Sequence, residues 1–248
     1  MRLILPATAL LFSFLSSLGA QEAMPAEWRK ARNAEDRAAL ERIADEARAA
    51  VDKRSTDAHA LYLSALAESL RAEVLAEQHD KHGSGSVAEA GIKIAKRAIA
   101  LNPGSAEYHR LLGALCGQTV PANIIFALSY GHCALDEVNK ALQIDPKSSM
   151  AWMSKAVGNY YLPASFGGGA DQAAKDIEKS LQLDAANADA WLWQGIILRK
   201  LNRNAEARKA FERALALDPA GSGRSSSSIR PRCSDHNAPP ECRNSRRQ

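Results

Sequence analysis

One segment pattern recurs along the chain and fixes what it can fold into. "AEARKAFERALALDP", ending at Pro219, reappears as "AEAGIKIAKRAIALNP" ending at Pro103 and "ALDEVNKALQIDP" ending at Pro146. A fourth copy, "AAKDIEKSLQLDA", ends at Ala185, where a proline is expected. Each copy is preceded by a second helical pattern: "AEYHRLLGALCG", "MAWMSKAVGNYY", "ADAWLWQGIILRK" and, less regularly, "DAHALYLSALAESL". A repeated pair of amphipathic helices cannot bury its apolar face alone. Such units stack, so the expected fold is a helical solenoid. Abundant alanine and an aromatic content of only 6% agree with helices in close contact.

Within the last unit Trp191, Gly195, Ala207, Phe211, Ala214 and Pro219 stand at fixed intervals. That register resembles the tetratricopeptide repeat family, whose unit pairs two antiparallel helices. Small residues let the two helices approach, large ones fill the space between them, and proline ends the second helix. The resemblance covers residues 57–219 and implies an all-α, right-handed superhelical array of about four hairpins plus an N-terminal helix. The expected divisions are 57–103, 106–146, 149–185 and 188–220, preceded by a segment 21–56 whose "AEDRAALERIADEARAAVDK" caps the array.

Irregularities in the units add detail. In the first, the polar stretch "EQHDKHGSGS" reads as a loop before a helix capped by Ser86 with Glu89, a capping box. The second unit is long, and Pro121 is the expected first residue of its extended second helix. The third separates Trp152 from Ala173 by 21 residues, against 16 between Trp191 and Ala207, so "YYLPASFGGG" is a five-residue expansion of one turn. A long second unit followed by this connection resembles bacterial exported tetratricopeptide proteins. In layout it is also similar to the regulator of microtubule dynamics family, from Tyr108 to Pro146. A microtubule role does not carry over to a chain with an export signal.

The two ends differ from this body. Arg2, the apolar run "LILPATALLFSFLSSLGA" and the polar residues after it have the anatomy of a secretory leader, residues 1–20. A membrane span is the rival reading, but the run is short and Pro6 interrupts it. Gln21 stands where a lipidated cysteine would be, so the expectation is a periplasmic or secreted protein without a lipid anchor or a membrane span after cleavage. The last 28 residues carry six arginines against one aspartate and one glutamate, +4, which equals the net charge of the whole chain. Residues 221–248 are expected to be a disordered basic tail. The body is balanced and lacks a basic stripe with interleaved aromatics, so no nucleic-acid partner is expected.

Candidate sites follow from the register. The first helix of each unit lines the concave face of such arrays. In the third unit this selects Met150, Met153, Val157, Tyr160 and Tyr161; in the fourth, Leu192, Trp193, Ile196, Arg199 and Lys200. An apolar, aromatic wall with cations at one end suits a peptide segment. The same side chains could equally fill the core between units. The expanded turn, Leu162, Pro163, Phe166, Gly167, Gly168 and Gly169, is expected to fold over the groove as a lid. Its glycines do not make a phosphate loop, because no Gly-Lys-Ser/Thr follows and Asp171 brings negative charge to the next helix.

His79 and His82 are too few for a zinc site. His109 stands at the tryptophan position of its unit and reads as packed. A hairpin turning near Thr119 would set Cys116 roughly 15 Å from Cys133, beyond disulfide reach. Cys233 and Cys242 in the tail can close a loop. No catalytic residue, metal or cofactor is expected. The leading functional expectation is an exported, non-catalytic scaffold holding a protein or peptide in its groove. The alternative is a small-molecule-binding accessory of a periplasmic transport system. Self-association is also expected if nothing covers the last helix.

Overall fold

The computed structural model describes residues 24–122 and 127–221; the leader and the tail, with Cys233 and Cys242, lie outside them. Ten α-helices follow one another among the described residues: α1 (Ala26–Asn33), α2 (Arg37–Lys53), α3 (Ala58–Glu77), α4 (Lys81–Leu101), α5 (Ala106–Thr119), α6 (Ala127–Ile144), α7 (Ser149–Tyr161), α8 (Ala170–Leu183), α9 (Ala188–Lys200) and α10 (Asn204–Leu217). Four hairpins, α3–α4, α5–α6, α7–α8 and α9–α10, stack in order, with α3, α5, α7 and α9 side by side.

Starts of these helices are set by short polar side chains. Asp36, Asp57, Ser105, Ser148 and Asn187 each accept a hydrogen bond from a backbone N–H in the following first turn. Two N–H groups at Asp57 hold its carboxyl below the usual carboxylate range. A second device locks each hairpin to the one before it. Trp152 Nε1 donates to the Pro146 carbonyl, Trp191 Nε1 to that of Ala185, and His109 Nε2 lies 3.1 Å from the Pro103 carbonyl. All three links span six residues, from the first helix of one unit to the last carbonyl of the unit before. His109 therefore takes the place of an indole, and its Nδ1 lies 2.6 Å from Glu137 Oε2.

Close approach explains the small residues. A methyl group on Gly195 would stand 2.5 Å from the Phe211 ring, and one on Gly113 would stand 2.8 Å from Val138 Cγ2. α3 is enclosed by its neighbours, with twelve of its twenty residues buried, among them Glu68. That carboxylate is paired with Arg48 of α2 and with Arg71, which also holds Glu41, so α2 is tied onto the array by charge as well as by Leu40 and Ala44.

Three expectations need correction. Residues 83–86 are helical: α4 starts at Lys81, capped by Asp80, and Ser86 lies inside it. The glycines and serines serve contact there, since Ser84 Oγ donates to the Ala72 carbonyl and a methyl on Gly85 would meet Ala122 at 2.3 Å. Pro121 lies in a turn and is not the first residue of a helix; α6, as described, runs from Ala127 to Ile144. Cys116 and Cys133 face each other with Cα atoms 5.9 Å apart, joined as a disulfide, so they are not offset as a hairpin turning near Thr119 would set them.

Candidate functional site

The register-selected residues separate into two groups. Met153 and Leu192 are buried in the cores of the third and fourth hairpins, with Met150, Tyr160, Trp193 and Ile196 packed against those cores. Val157 is half-buried, Arg199 and Lys200 are exposed, and Tyr161 is 71% exposed. Tyr161, Arg199 and Lys200 stand at the C-terminal ends of α7 and α9. Tyr160, Tyr161 and, from the middle of α9, Trp193 meet edge to face, with centroids 5.0, 5.8 and 6.2 Å apart. Lys200 Nζ lies 4.1 Å from the Tyr160 ring centroid and donates to the Tyr160 carbonyl, which fixes a cation against the cluster.

The expanded turn is built to be rigid. Gly169 N–H donates to the Asn159 and Leu162 carbonyls, and Gly167 and Gly169 have φ of 84° and 96°, where a side chain is strained. Leu162 closes against Gly168, and a short 3-10 turn carries Ala164–Phe166. Below it, buried Asn159 donates to Asp176 at 2.6 Å, anchoring α7 to α8. Phe166, expected in the lid, is 75% exposed. With Tyr161 and Leu101 it makes up the exposed large hydrophobics of the described residues.

A second assembly, at the first turn of α9, was not anticipated from the sequence. α1 packs on α2 and α3 through buried Trp28 and Ala31, and its last turn reaches the fourth hairpin. Arg32 there donates two hydrogen bonds to Asp189, 2.8 and 3.1 Å, and Asn33 donates one to Asp218, 2.7 Å. Trp28 with Ala31, one turn apart ahead of the Asp36 cap, was the available signal for α1.

Among the described residues no three His, Cys, Asp or Glu side chains gather as metal ligands, and no helix is long and apolar enough to cross a membrane. One cavity lies between α2 and α3, lined by Leu40 and Val74, and another at the base of α9, lined by Asn33, Asp189 and Leu192.

A family profile described as a tetratricopeptide repeat matches residues 188–220. Of solved structures, TTC0263, a thermophilic tetratricopeptide protein of Thermus thermophilus, is similar over 82% of this chain and 99% of its own, at 17% identity and TM-score 0.57. The fourth hairpin carries a tetratricopeptide repeat, and the whole array has the tetratricopeptide fold. The HusA haemophore of Porphyromonas gingivalis (22% identity, 79% of this chain, 96% of its own, TM-score 0.47) is too different in shape to inform the array further. So is MamA from Desulfovibrio magneticus RS-1 (14%, 80%, 98%, 0.42). No curated protein matches the sequence. Tetratricopeptide arrays are scaffolds for protein interaction, and the fold is typical of non-catalytic proteins.

Proposed function

We propose that this tetratricopeptide array is an exported, non-catalytic scaffold that docks a polypeptide segment on the aromatic end of α7 and α9. The observation that carries the reading is the cluster itself. Tyr161 is exposed beside the packed Tyr160–Trp193 pair with Lys200 against Tyr160; in the chain the exposed Phe166 follows Tyr161 and the exposed Arg199 precedes Lys200. Rigid aromatics that cost little entropy to bury, rimmed by charge, suit a segment with an apolar anchor and neighbouring acidic residues. Export is supported by the leader-like start and by the Cys116–Cys133 pair, which persists in oxidising compartments.

The test is affinity for acidic peptides carrying one aromatic residue, measured for the wild type and for Tyr161→Ala, Phe166→Ala and Lys200→Glu. Each substitution should weaken binding at least about tenfold, the scale of a hot-spot residue, with the helical circular dichroism unchanged. Unchanged affinity in all three places the docking face elsewhere.

A further inference from the structure

Arg32 and Asn33 are each 5% exposed although they lie at the end of an eight-residue helix. A helix this short is marginal alone, and α1 has no side-chain cap at its start. Glu35, in the turn to α2, has φ 51°, a conformation that side chains rarely adopt. Docking therefore holds α1 in place, and the docking site is chemically specific.

Asp189, in the first turn of α9, receives the Arg32 guanidinium on both carboxylate oxygens. Asp218, just beyond α10, receives the Asn33 amide. Arg32 also donates to Asn33 Oδ1 at 3.2 Å, so the two side chains brace one another as a single fork. Leu192 and Ala214 supply a buried apolar floor, and the space left beside Asn33 is a cavity of ≈ 20 Å³, room for one water.

We propose that the base of the fourth hairpin is a peptide-binding notch, specific for arginine followed by an amide side chain, and occupied in cis by the chain's own Arg32–Asn33. The notch uses Asp189 and Leu192 in the first turns of α9, whereas Tyr161 and Lys200 stand at the C-terminal ends of α7 and α9, so its contacts are distinct from that docking site. Its occupant links the first hairpin to the last, so a competing segment with the same chemistry unlinks the two ends of the array while Trp28 and Ala31 keep α1 on α2 and α3.

The test uses the full chain and a labelled peptide of residues 24–36, followed by fluorescence anisotropy. Arg32→Ala vacates the notch and should bind the peptide at least ten times more tightly than the wild type does. Adding Asp189→Asn should abolish that binding. Equal binding by wild type and Arg32→Ala, or binding that survives Asp189→Asn, overturns the proposal. Should Arg32→Ala lose its helical signal, hydrogen exchange of the wild type decides. Amides 26–33 should exchange at least ten times more slowly than in the free peptide, and free-peptide rates overturn the proposal. A concentration-dependent dimer joined through α1 overturns occupancy in cis.

Discussion

At the residue level the signature of the repeat reduces to a few contacts. Gly195 is required because its Cα faces the Phe211 ring, whereas Gly117 and Gly131 are helical glycines with open space where a side chain would go. Gly195→Ala should therefore lose about 1–3 kcal/mol by overpacking, while Gly117→Ala should gain about 0.5–1 kcal/mol from helix propensity. Urea denaturation of both variants measures this, and equal shifts would remove the packing explanation. The Trp191, Gly195 and Phe211 register could be read from residues alone because those contacts lie within one unit or between neighbours. Arg32 could not be found that way. Its partner lies 157 residues away, and nothing local marks an arginine for burial. Met153 and Leu192 fall in the core because the first helix of a unit turns its side chains both to its own hairpin and to the next. Spacing alone does not separate the two faces.

At the level of elements, the helices were legible and their ends were less so. "HGSGS" has loop composition, yet it is the opening of α4, and only the approach of α3 and the Ala122 turn explains its small residues. The turn expected near Thr119 likewise set Cys116 and Cys133 out of register, whereas they pair. Cys116 and Cys133 close a loop of 17 residues, and reducing them should cost the hairpin about 3 kcal/mol. Thermal unfolding with and without reductant measures the loss. Hydrogen exchange should place it in α5 and α6, with α9 and α10 unaffected. A uniform loss over all hairpins would mean that the pair stabilises the array as one cooperative unit.

At the level of the whole molecule, two surfaces compete for the description of a groove. An open tetratricopeptide superhelix offers its concave face to partners. Here α2 and α1 cover α3, and the Arg32 clasp joins the first hairpin to the last. Accessible large apolar side chains include Tyr161 at the end of α7 and Phe166 in the turn after it, and Lys200 lies against the neighbouring Tyr160 ring. The fold class was readable because repetition states it four times over. The placement of the accessible surface was not, since it depends on where a non-repeated helix settles.

Native mass spectrometry of the protein purified from its own cells would examine the docking reading directly, and its intact mass would fix the mature N-terminus. A polypeptide bound in stoichiometric amount, and lost from the Tyr161→Ala, Phe166→Ala double variant, is the expected result. A stoichiometric small molecule, or a bound polypeptide that the double variant retains, would contradict it.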